Sequence, residues 1–166
     1  MIPARPRFRL AIVGDGPLRD WLGAEVAARP VLAERVLQLG RRDDVPGLLR
    51  SADLLVHAAL WEGMPNVVLE AMAARLPVVA TAVEGAEDLV VPGLTGWLVP
   101  PAAPDRLARA LVEAVDDPGG SREMGRAGRD RVEAEYSLNR VVSLYDELWS
   151  GILGYKPIDA MSRRFL

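Results

Sequence analysis

Short apolar runs suited to strands alternate with runs at helical spacing along most of this 166-residue chain, and that alternation limits the fold more than any other feature. The pairs fall at 8–13 then 18–28, 35–39 then 45–50, 54–58 then 66–75, and 78–81 then 86–90, with a last strand at 96–99. Parallel strands need a crossover to return the chain, and a helix supplies it. The pattern therefore predicts an α/β fold, a Rossmann-like parallel sheet with helices on both faces, whose ligands bind at the carboxyl ends of the strands. Three helical patterns follow without strands, at 105–115, 122–135 and 138–153, giving a helical C-terminus. The last of them sets Leu138, Val141, Val142, Tyr145, Leu148, Trp149 and Ile152 on one stripe, which ordinarily docks on the protein's own sheet. Residues 1–154 read as one domain and 155–166 as an irregular tail.

Composition narrows the function. Half the residues are apolar, enough for a buried core. A net charge of −3 offers no basic stripe for nucleic acid. Without cysteine there is neither a disulfide nor a thiolate metal site, and a lone His57 builds no zinc centre. No apolar run approaches the ~20 residues of a membrane span, and the basic, proline-containing start does not resemble a signal peptide. The expectation is a cytoplasmic domain with no bound metal.

The segment WEGMPNVVLEAMAAR, from Trp61 to Arg75, says most about chemistry. Pro65 suits the first turn of a helix, so the helix begins near Asn66. The N–H groups of Asn66, Val67 and Val68 then make a seat for a phosphate at the positive end of the helix dipole. Gly63 allows close approach of a ligand, and Met64 lies beside it. Glu62 precedes the seat and Glu70 lies just over one turn inside it, so both can accept hydrogen bonds from sugar hydroxyls. Glu70 stands in a run apolar on every face, which predicts burial and a need for partners. From spacing alone, a loop acid plus a buried Glu satisfied by an Arg or a backbone group stands beside this reading. His57 and Trp61, next to the loop, read as packing residues that can also touch a ligand, and Trp97 and Trp149 read as structural.

Gly14 and Gly16 follow a strand and open a helix, as a dinucleotide-binding loop should. The third glycine of that fingerprint is replaced by Arg19, and the second strand ends in Leu39-Gly40-Arg41 with no acid, so a nicotinamide site is set aside. Asp15, Asp43 and Asp44 lack metal-ligand spacing.

Several ordered pieces, GDGP at 14–17, the Glu62/Glu70 pair, EAMAARLPVVAT at 70–81 and TGWLVPP at 95–101, together resemble the C-terminal half of retaining glycosyltransferases of family 4. That resemblance, from about Leu10 to Trp149, implies one half of a GT-B fold and a nucleoside diphosphate sugar as donor. It implies that Glu62 contacts the donor sugar and that Glu70 holds the ribose diol. It places Gly14 and Gly16 in the nucleotide cleft, Arg41 near the base, and the 63–68 segment at the diphosphate. It further implies that the last helix crosses to the acceptor-binding half, and that transfer needs no metal. The family's first strand and its basic loop, with an Arg and a Lys for the diphosphate, are not in this sequence, nor is the acceptor-binding half. This predicts a chain that binds better than it catalyses, as a fragment or one partner of a split enzyme.

Arg75 and Glu84 each replace a small residue usual in the family, which predicts a charge near the cleft, and Asp88 stands where a Glu is usual. A nucleotide-sugar epimerase, a phosphorylase, or a non-catalytic sugar-nucleotide sensor would use the same cleft.

Overall fold

A computed structural model describes residues 8–154 of the chain; the tail expected at 155–166 lies outside the described residues. These residues fall into two compact units, divided after Val45, where the sequence reading has one domain.

In the first unit, β1 (Leu10–Val13) and β2 (Val36–Gly40) pair in parallel, joined by α1 (Arg19–Ala27) and the single turn α2 (Pro30–Ala33). The turn α2 is not expected from the sequence. Pro30 at its first position, with its φ already suited to a helix, starts it. The two strands carry a register shift after Ile12, so that Val13 sits opposite Gly40. Gly14 leaves β1 at φ 130°, a conformation that side chains rarely adopt, and its N–H donates to the Gly40 carbonyl at 2.8 Å.

The boundary falls after the first residue of α3 (Val45–Ser51), and the second unit contains the rest of that helix, β3 (Leu55–His57), α4 (Asn66–Ala73), β4 (Val78–Thr81), α5 (Ala86–Leu89), β5 (Gly96–Val99), α6 (Pro104–Asp116), α7 (Pro118–Glu135) and α8 (Leu138–Leu153). Its three strands pair in parallel in the order β3-β4-β5. Every residue of β4 is buried, as a central strand covered on both faces must be. Val79 and Val99 pack with Ala110 and Ala114 of α6, while Val68 and Met72 of α4 are fully buried. The helix α7 begins four residues before the expected 122. There Asp117 accepts the Gly120 N–H at 2.9 Å and Pro118 stands at the first helical position, so the cap overrides the two glycines. Arg129 and Arg131 of α7 reach back to carbonyl oxygens of Ala73 and Leu89, supplying partners that helix ends otherwise lack.

One expectation fails at α8. Its boundaries match the sequence reading, yet no side chain of α8 is buried, and Leu138, Tyr145, Leu148, Trp149 and Ile152 are all exposed. The 3.6-residue period decides which residues share a stripe; it does not decide what opposes them. Trp149, expected to be structural, shares that exposure. Trp97 does pack against the core.

Arg75 ends α4 in the left-handed conformation, at φ 63°. The Arg75 N–H donates to Met72 O and the Leu76 N–H to Ala71 O, each at 2.9 Å, and Leu76 is buried behind them. This is the Schellman arrangement, in which glycine is favoured. Arg75 therefore sits at the end of α4 opposite the 61–65 loop, roughly 12 Å of helix away, rather than near the cleft as expected. Arg75→Gly removes a Cβ penalty of about 1–2 kcal/mol and costs about 0.4–1 kcal/mol through the more flexible unfolded chain. A net gain of about 0.5–1 kcal/mol is expected as a higher urea midpoint, and an unchanged midpoint would show that the Arg75 side chain compensates its own strain.

Candidate functional site

The loop between β3 and α4 leaves the carboxyl end of a parallel strand, where such sheets present ligand-binding groups. Three contacts hold it. Thr81, at the end of β4, donates its hydroxyl to Ala59 O at 2.6 Å, tying down the loop just after β3. Gly85, at φ 76°, packs so closely that a Cβ there would lie 2.0 Å from Gly63 O and 3.0 Å from Pro65 Cδ. His57, the last residue of β3, brings Nε2 to 3.3 Å from Glu62 Oε1. Thr81 and Gly85 are not singled out by the sequence reading, whereas His57 is read there as a packing residue able to touch a ligand. Thr81 and Gly85 belong to a neighbouring strand and loop, so no local spacing links them to Glu62.

Pro65 caps α4 in an extended conformation and Asn66 is the first helical residue, as expected. The anion seat is smaller than expected, because the Val68 N–H donates to Pro65 O at 2.9 Å. Asn66 and Val67 are left to present N–H groups at the positive end of the dipole.

Glu70 overturns its own prediction. It is exposed, because Val68, Ala71 and Met72 claim the buried side of α4 and turn Asn66 and Glu70, one helical turn apart, to the opposite side. An exposed carboxylate keeps its water and needs no internal partner. Among the described residues neither Glu62 nor Glu70 forms an ion pair with an arginine. Trp61, read as packing, is also exposed, at 84%, and Met64 at 52%. The loop therefore places Glu62, Gly63, Met64, Pro65, Asn66, Val67, Val68 and Glu70 on or next to one helix N-terminus, with both acids accessible to a ligand.

Gly14, Gly16 and Arg41 belong to the first unit, at the carboxyl ends of β1 and β2. There Asp15 serves its own loop, accepting the Gly16 N–H at 2.9 Å and Arg19 Nη1 at 2.8 Å. The Arg19 guanidinium lies over Gly40, 3.6 Å from where a Cβ would stand, which is why an arginine in place of the third glycine is accommodated. Arg41 is exposed. Arg42 grips Asp44 through two bonds of 2.8 and 2.7 Å, and that hydrogen bonding holds the Asp44 carboxyl below its ordinary range. Among the described residues no group of His, Asp and Glu is arranged to hold a metal ion.

Parallel strands joined by helices, with two accessible carboxylates and a helix N-terminus beyond the end of β3, define a Rossmann-like α/β protein. The particular family follows from comparison: the chain matches the family "Glycosyl transferases group 1" over residues 2–117 and belongs to it. It is 38% identical over 112 residues to the UDP-Gal:alpha-D-GlcNAc-diphosphoundecaprenol alpha-1,3-galactosyltransferase of Escherichia coli, covering 68% of this chain and 29% of that protein. Over 146 residues it is 36% identical to the GDP-mannose-dependent monoacylated alpha-(1-6)-phosphatidylinositol monomannoside mannosyltransferase of Corynebacterium glutamicum, covering 82% of this chain and 37% of that protein. The Anabaena protein HepE, solved in complex with UDP, superposes with a TM-score of 0.81 at 26% identity, over 90% of this chain and 44% of that one. The chain thus spans less than half the length of each of these relatives. No helix among the described residues is long and apolar enough to cross a membrane.

Proposed function

We propose that this chain is the donor half of a retaining, family 4 hexosyltransferase, binding a nucleoside diphosphate sugar at the loop between β3 and α4. The observation that carries the proposal is the pair of accessible acids at the start of α4, Glu62 in the loop and Glu70 on the exposed side of the first turns. In this reading Glu62 accepts hydrogen bonds from the sugar and Glu70 from the ribose diol. The Asn66 and Val67 N–H groups face the diphosphate as negative charge develops on it. By the family resemblance, Gly14, Gly16 and Arg41 of the first unit are also assigned to the nucleotide. Transfer proceeds at the front face, the glycosidic oxygen departing with the diphosphate while the acceptor hydroxyl attacks from the same side, and no metal takes part. Neither acid forms a covalent bond to the sugar.

The acceptor-binding half, supplied by the same gene or by a split partner, completes the enzyme in the cytoplasm. Two facts support it: this chain covers 29% and 37% of the lengths of its transferase relatives, and the apolar stripe of α8 is uncovered. Exposed Glu84, next to Gly85, adds negative charge beside the loop and weakens the hold on diphosphate.

The test separates sugar from nucleotide. Calorimetry with Glu62→Ala should show about 10- to 100-fold weaker binding of the sugar nucleotide, the worth of a charge-assisted hydrogen bond, with the bare nucleoside diphosphate little changed. Equal losses for both ligands would remove Glu62 from the sugar.

A further inference from the structure

His57 has no part in the reading above, yet its ring is the best-placed group to control Glu62. The side chain is 12% exposed, with Nε2 at 3.3 Å from Glu62 Oε1. Its other nitrogen, Nδ1, is buried and has no hydrogen-bond partner. The two observations together constrain the proton. A buried N–H without an acceptor is rarer and costlier than a buried lone pair without a donor, so the ring nitrogen facing the interior carries the lone pair and Nε2 carries the hydrogen. The carboxylate oxygen within reach of that hydrogen is Glu62 Oε1, at an ion-pair distance of 3.3 Å from Nε2 that is slightly longer than an ordinary N–H···O bond.

We propose that His57 is a positioning residue: its Nε2–H holds one oxygen of Glu62 and leaves the other oxygen to accept from the donor sugar. The backbone makes this holder rigid. His57 sits in β3 opposite Ala80 of β4, and the same turn is pinned by the Thr81 hydroxyl on Ala59 O. Glu62, by contrast, lies on an open loop where a carboxylate without a holder samples several rotamers, and fixing it beforehand cuts the ordering cost of binding. The role rests on Glu62 meeting the donor sugar, while the pairing itself does not.

Two measurements separate those levels. The chain has a single histidine, so its imidazole nitrogens give one unambiguous set of 15N resonances. In the neutral ring Nδ1 should resonate as the unprotonated nitrogen and Nε2 as the protonated one, and Glu62→Ala should shift the Nε2 signal. A ring protonated at Nδ1, or a spectrum insensitive to Glu62→Ala, overturns the pairing. The second measurement compares binding of UDP-glucose, GDP-mannose and ADP-glucose with that of UDP, GDP and ADP. His57→Phe, which fills the space without a donor, should lower the preference for sugar nucleotide over bare nucleotide about five- to tenfold. His57→Gln, which returns an N–H near the Nε2 position, should restore most of it. An unchanged preference in His57→Phe, or equal loss in both variants, overturns the positioning role. If the wild type binds none of the six ligands the donor-site reading fails instead, and the nitrogen spectrum decides whether the pairing stands.

Discussion

Gly85→Ala is expected to lose about 2–6 kcal/mol of folding stability, a large fraction of the roughly 5–15 kcal/mol that domains possess. Two costs combine. The residue sits at φ 76° and ψ −41°, outside the left-handed helical well, where a Cβ costs about 1–3 kcal/mol. That Cβ would also stand 2.0 Å from Gly63 O, a backbone atom that cannot rotate away, and overpacking of this kind costs about 1–3 kcal/mol. The only relief is to push the 61–65 loop outward, so donor binding should fall together with stability. Urea denaturation measures the first effect and calorimetry the second. Gly63 is the natural control, since a Cβ there meets nothing within 4 Å. A Gly85→Ala protein with wild-type midpoint and affinity would show that the α4 loop does not depend on this contact.

Glu70→Ala is expected to leave stability within about 0.5 kcal/mol of wild type, because the side chain is exposed and supports no part of the core. Its effect on ligand should be far larger. If both oxygens engage a ribose diol through charge-assisted bonds worth about 1.5–3 kcal/mol each, their loss amounts to about 3–6 kcal/mol. That is a drop of roughly 10²- to 10⁴-fold in affinity, and it applies equally to the sugar nucleotide and the bare nucleotide. The equality distinguishes Glu70 from Glu62, whose loss should be confined to the sugar. Unchanged affinity in Glu70→Ala would withdraw the ribose assignment and leave α4 as a purely structural helix.

Much of this architecture could be read from residue order. β4 and β5 occupy the predicted 78–81 and 96–99, α8 the predicted 138–153, and Asn66 starts α4 as Pro65 required. These elements follow from interactions within a few residues of one another: apolar period, proline geometry and caps. For the same reason the alternation of strands and helices specified parallel pairing, though it falls into a two-stranded and a three-stranded sheet rather than one, and the ordered motifs, the 61–70 segment among them, pointed to glycosyltransferases, which the comparison bears out as group 1. Local patterns misled where they were asked about surroundings. The apolar run around Glu70 suggested burial, yet three of its residues supply the whole buried side and leave the acid outside. The cap at Asp117 defeated the helix-breaking look of Gly119 and Gly120.

Chain order alone therefore determined the elements, their parallel pairing and the two acids at the mouth of one helix, because each depends on neighbours in sequence. Tertiary structure alone decided which acid is open to solvent, what restrains the loop between them and whether the α8 stripe is covered. Those outcomes depend on groups 5 to 22 residues away, such as His57 for Glu62, Gly85 for Gly63 and Thr81 for Ala59. Only the folded sheet brings such groups within a hydrogen bond or a van der Waals contact of each other.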